Sequence, residues 1–154
     1  MANTLGSVLK MAIDKEQEAY DFYMGLHNIV EDKEAKSTLK FIAQEEAKHK
    51  DFLTTCQEGQ FCGTALKMDA PVDYKIAEHM EKPDVNKNMK SAEVYLVAAG
   101  RESNAYNFYK ALANSYPAGD VKDLLSKMAN EELKHKEKME YLYANTAFPQ
   151  TAGG

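Results

Sequence analysis

The chain has 154 residues, 44% of them apolar and 28% charged, and carries a net charge of −5. That length suffices for one domain with a sizeable buried core. The acidic balance, with lysines interspersed among acids, argues against a nucleic-acid surface, which needs a basic stripe, and no run of about 18 apolar residues is available for a transmembrane helix.

Four long stretches rich in Ala, Leu, Met, Glu and Lys favour helix, and the Pro and Gly residues that punctuate them place helices at 4–30, 33–57, 87–116 and 120–145. Asp32 and Asp120 are the expected N-caps of the second and fourth. Residues 58–86 form a crossover, with one short helix expected around 73–81. Residues 1–146 make one domain, and 147–154 a C-terminal tail.

The two halves repeat with an offset of 86 residues and no gap. Ala12 returns as Ala98, Glu16 as Glu102, Tyr20 as Tyr106, Phe22-Tyr23 as Phe108-Tyr109 and Leu26 as Leu112. In the second helix of each half, Leu39 returns as Leu125, Glu45-Glu46 as Glu131-Glu132 and Lys48-His49-Lys50 as Lys134-His135-Lys136. Short turns within each half and a long link between halves predict two antiparallel helical hairpins, the one-crossover topology of an all-α, antiparallel four-helix bundle.

The second helix carries a stripe, Ala35, Leu39, Ile42, Glu46, His49, Leu53 and Cys56, at alternating steps of four and three. The fourth repeats it as Val121, Leu125, Met128, Glu132, His135, Met139 and Leu142. This is the inward seam of a bundle helix. Glu16 and Glu102 interrupt the apolar stripes of the first and third helices in the same way. A buried, unpaired carboxylate costs several kcal/mol, and four of them would exceed the roughly 5–15 kcal/mol stability of a typical domain. Two divalent cations neutralise four carboxylates. A Glu and a His at i and i+3 share a helix face and reach one ion. Two such pairs plus one Glu from each remaining helix form the ligand set of two-metal carboxylate bundles. The expected ligands are therefore Glu16, Glu46, His49, Glu102, Glu132 and His135. Mixed carboxylate and imidazole donors suit iron, manganese or zinc; two carboxylate-bridged iron ions are expected, with Mn or Zn as alternatives. Glu46 and Glu132 are expected to bridge, Glu16 and Glu102 to be terminal.

Glu45 and Glu131 lie one residue, about 100°, off the seam and are expected to flank the site. His27 is expected to serve the helix C-terminus, and His79 to lie on the crossover surface. Tyr23 and Tyr109 fall two turns beyond Glu16 and Glu102 on the same face. Their hydroxyls, if buried, need partners, and ligand carboxylates are the expected ones; Tyr20 and Tyr106 are alternatives for that role. Cys56 and Cys62, in a lone Cys-x5-Cys spacing, fit neither a disulfide framework nor a four-cysteine metal site. They are expected to be reduced thiols near a helix end. Met1–Lys10 has no long apolar run, so no secretory signal is expected, and from the reduced thiols a cytoplasmic location is expected.

Glu16 with Tyr20-Asp21-Phe22-Tyr23, Glu46-x-x-His49, Ala99-Gly100-Arg101-Glu102 with Phe108-Tyr109, and Glu132-x-x-His135 together resemble the rubrerythrin branch of the ferritin-like superfamily, over about 8–145. The resemblance implies a ferritin-like bundle and a non-haem peroxidase that reduces hydrogen peroxide, or O2, at a di-iron centre, and it favours a homodimer. Two features depart from that family. No rubredoxin-like segment with paired Cys-x-x-Cys motifs is present, so a separate, rubredoxin-like electron donor is implied. Ala105 stands where the family often has an extra glutamate, leaving a symmetrical six-ligand set. The alternative is an iron-oxidising storage protein of the ferritin kind.

Overall fold

The computed structural model describes residues 5–57, 75, 77–79 and 85–147. The order is α1 (Leu5–Ile29), α2 (Lys33–Gln57), a 3-10 turn (Ala77–His79), α3 (Ser91–Asn114) and α4 (Asp120–Ala147). The chain divides into two compact units, Met1–Leu66 and Lys67–Gly154. Among the described residues no strand occurs, and no helix is long and apolar enough to cross a membrane.

The first unit is the α1–α2 hairpin. Its turn works because Asp32 caps α2 as expected: Ala35 N–H donates to Asp32 Oδ1 at 2.9 Å. Lys36 then reaches back and donates from Nζ to the His27 carbonyl at 2.6 Å, satisfying one of the C-terminal carbonyls that α1 leaves over. His27 sits in that last turn, where a basic group is favoured. Leu39, Ile42 and Leu53 are buried, as the seam predicts, and so are Val8, Leu9, Ala12, Leu26 and Ala43.

The second unit pairs α3 with α4. The third helix begins at Ser91, four residues later than expected. Asn86 explains the delay: its Oδ1 accepts from Asn88 N–H at 2.8 Å, and a side-chain turn of this kind competes with helix. Glu93 Oε1 accepts from Lys90 N–H at the true start. At the other end, Ser115 Oγ donates to the Leu112 carbonyl at 2.6 Å, and Pro117 cannot continue the helix. Asp120 is the first residue of α4 rather than its cap. The preceding Gly119, at φ +152°, takes the turn, and its carbonyl accepts from Asp123 N–H at 3.0 Å. Asp120 and Asp123 instead favour the positive end of the helix dipole.

The 3-10 turn falls within the expected 73–81 helix but is only three residues long. The rest of that span, apart from Lys75, and Cys62 lie outside the described residues. One expectation is overturned: Cys56 is not a reduced thiol but is disulfide-bonded, and among the described residues no cysteine is free. The cytoplasmic expectation loses the support it drew from reduced thiols.

Candidate metal centre

Each unit assembles the same three-residue constellation. In the first, α1 supplies Glu16 and α2 supplies Glu46 and His49, with exposures of 2%, 1% and 7%. His49 Nδ1 lies 3.6 Å from Glu16 Oε1. In the second, α3 supplies Glu102 and α4 supplies Glu132 and His135, at 1%, 1% and 9%, and His135 Nδ1 lies 3.7 Å from Glu102 Oε2. The 86-residue repeat is thus repeated as geometry.

Those separations bear on the chemistry. A hydrogen bond between nitrogen and oxygen spans about 2.7–3.2 Å. An imidazole nitrogen and a carboxylate oxygen bound to one divalent ion at about 2.0–2.2 Å stand roughly 3.0–3.8 Å apart, for bond angles from about 90° to 120°. The imidazole and the carboxylate in each unit are set apart by the second distance. Glu46, His49, Glu132 and His135 offer buried donor atoms that could hold a metal ion. Oxygen and imidazole donors without a described thiolate among them fit iron, manganese or zinc.

The flanking carboxylates behave as the seam predicts. Glu45 pairs with Lys48 at 3.0 Å and Glu131 with Lys134 at 2.6 Å, so both turn to lysines of their own helix. Tyr23 and Tyr109 are each 1% exposed. Each ring meets the preceding Phe edge-on, Phe22 at 5.6 Å and Phe108 at 5.2 Å between centroids, a further trace of the repeat. Tyr20 and Tyr106 are only half-buried.

Sequence reasoning missed one cluster beside the second constellation. Lys136 is 1% exposed and Glu140 fully buried. Lys136 Nζ lies 2.7 Å from Glu78 Oε1 and 3.4 Å from Glu140 Oε2. Ala77 N–H donates to Glu140 Oε2 at 2.8 Å, and Ser103 Oγ donates to Glu78 Oε1 at 3.0 Å. The repeat gives the comparison. In the first unit the matching residues, Lys50 and Gln17, meet directly, Lys50 Nζ donating to Gln17 Oε1 at 2.6 Å. In the second unit the crossover carboxylate of Glu78 is inserted between Lys136 and Ser103. The available signal was the Lys-x3-Glu spacing of Lys136 and Glu140, which looks like any solvent-facing pair.

A family model for rubrerythrin matches residues 1–57 and 93–150. The chain belongs to the rubrerythrin family. The two matched segments span both hairpins of this rubrerythrin-family chain and skip the crossover, where Glu78 lies. No curated protein sequence matches it. Among solved structures, a hypothetical protein from Pyrococcus furiosus is similar, at 21% identity and a TM-score of 0.58, over 96% of this chain and 93% of that one. At that identity the likeness speaks to fold alone, and with the family match it supports an all-α, ferritin-like four-helix bundle.

Proposed function

We propose that this rubrerythrin-family chain is a di-iron oxidoreductase that reduces hydrogen peroxide, or O2, with electrons from an external donor, in a cytoplasmic setting. One observation carries the reading: two hairpins each build a buried Glu, Glu, His set from the same sequence positions, with the imidazole set off from the carboxylate by 3.6 and 3.7 Å. On this reading the two sets together hold one pair of ions, whose four positive charges balance Glu16, Glu46, Glu102 and Glu132.

The residues then divide the work. Glu46 and Glu132, each one turn from a histidine, would be shared by the two ions, Glu16 and Glu102 would each serve one, and His49 and His135 would each complete one. A redox-active metal pair bound there would supply the electrons for reducing an O–O bond. These six residues would hold both ions within reach of one small oxidant, and their burial keeps bulk water away. Tyr23 and Tyr109 are proposed to fix ligand carboxylates through their hydroxyls.

Metal analysis followed by anaerobic stopped-flow oxidation tests the proposal. The ferrous protein is expected to react faster with peroxide than with O2, consuming one peroxide per two irons. Faster reaction with O2, with iron deposited beyond two per bundle, would establish the storage reading instead. A native zinc pair that neither oxidant changes would make the metal structural.

A further inference from the structure

One face of α3 carries Ser103, Tyr106, Asn107 and Lys110, at spacings that a helix brings together. Their repeat partners in α1 are Gln17, Tyr20, Asp21 and Met24. The tyrosine is kept. Around it a long amide is shortened to a hydroxyl, a carboxylate becomes a neutral amide, and an apolar side chain becomes an ammonium. Two of these changes each move the face one charge toward positive. In α1 the same positions close on themselves, Gln17 Nε2 donating to Asp21 Oδ1 at 2.8 Å. In the second unit the crossover stands against the face instead, with Ser103 Oγ donating to Glu78 Oε1 at 3.0 Å.

Between that face and the crossover lies a cleft of about 340 Å³, lined among the described residues by Lys75, Glu78, Ser103, Tyr106, Asn107 and Lys110. Its volume falls in the range of about 300–1,000 Å³ usual for small-molecule sites. Lys110 Nζ stands 5.4 Å from the centre of the Tyr106 ring, a cation–π contact that limits where the ammonium can go. Lys75 has φ +54°, a left-handed conformation that glycine takes freely and a lysine does not. Backbone strain of this kind persists where something depends on the residue that bears it. Glu78 is the acid of the lining, and its Oε1 already receives Lys136 Nζ at 2.7 Å. Lys136 also faces Glu140. Three lysines against two glutamates leave these five groups at +1, in a chain whose net charge is −5.

We propose that this cleft binds a small organic monocarboxylate, its charge taken by Lys75 and Lys110 and the rest of the molecule lying against Tyr106 and Asn107. Lysine recognises an oxyanion as a point charge, and the Asn107 amide can donate to the same carboxylate. A single negative charge matches the +1 of the surrounding groups. A phosphate monoester carries nearly two at neutral pH, and its second charge would meet Glu78 uncompensated. A bare inorganic ion would leave most of the cleft to water. The site stands apart from the metal reading: it uses neither a proposed ligand nor the first unit.

Titration of the full chain with lactate and with benzoate, followed by amide NMR at constant ionic strength, tests the site. At least one of the two should give saturable shifts at Ser103, Tyr106, Asn107 and Lys110, while chloride gives none. No saturable shift with either, or equal shifts with chloride, would overturn the proposal. Inorganic phosphate should bind at least tenfold more weakly than the better carboxylate, and tighter phosphate binding would overturn the ligand class. N107D and K110M restore the residues that the first hairpin carries at these positions, so both should fold. K75G removes a charge and relieves the backbone at once, so its melting temperature should hold. Each of the three should weaken carboxylate binding at least tenfold, and wild-type affinity in any of them would overturn the assigned contacts.

Discussion

Lys136 Nζ lies 2.7 Å from Glu78 Oε1, in the place where the first hairpin lets Lys50 meet Gln17 directly. The crossover has put a carboxylate into one copy of a repeated contact, and the two copies are no longer equivalent. Lys136 is fully buried and also faces the buried Glu140. Lys136→Ala takes the lysine from the buried Glu140 carboxyl group, leaving one oxygen held by Ala77 N–H and the other unsatisfied. Breaking a buried pair in this way costs about 3–5 kcal/mol. Glu78, with a side chain 38% exposed, contributes less: Glu78→Gln is expected to cost about 1 kcal/mol or less. Urea unfolding of the two variants checks the order.

The ligand carboxylates should behave oppositely with and without metal. As proposed ligands, Glu46 and Glu132 are buried acids whose removal from the apo protein should relieve a desolvation penalty, and in the loaded protein they would carry binding energy that is also folding energy. The Glu46→Ala, Glu132→Ala double variant should therefore lose metal. Its melting temperature should fall well below that of the loaded wild type, while its apo form melts near or above the apo wild type. Full metal occupancy in the double variant would sink the ligand assignment.

Tyr23→Phe and Tyr109→Phe keep the edge-on contacts with Phe22 and Phe108 and remove only a hydroxyl. If each hydroxyl serves a ligand carboxylate, each variant should lose about 0.5–1.5 kcal/mol of stability, with a matching drop in metal affinity. Thermal melts and metal titration measure the two together. A stability loss with unchanged metal affinity would show the hydroxyls bonded elsewhere.

The native assembly is proposed to be a homodimer, possible with exchanged hairpins because the link between the matched segments is long. Sedimentation at micromolar concentration should give twice the 17.3 kDa chain mass. A monomer overturns the dimer, and a shell of many subunits supports storage.

Much of this protein was set by local sequence. Helix α2 runs from Lys33 to Gln57, the bounds that composition and punctuation predict. The stripe through Glu46 and His49 is legible because a helix turns a fixed angle per residue, so spacing alone states which side chains share a face. The repeat then carried that statement from α2 to α4, and Glu16 and Glu102 came with it. Tertiary structure decided what has no period. The hydrogen bond from Ala77 to Glu140 joins residues 63 apart, and Glu78 reaches Lys136 from a crossover with no repeat partner. Asn86 delays α3 through its own side chain, and Cys56 is oxidised where composition suggested a thiol. Each depends on which groups burial brings within reach of one another. That is fixed by the path of the chain in space, because a buried polar group must find a partner wherever the fold leaves one.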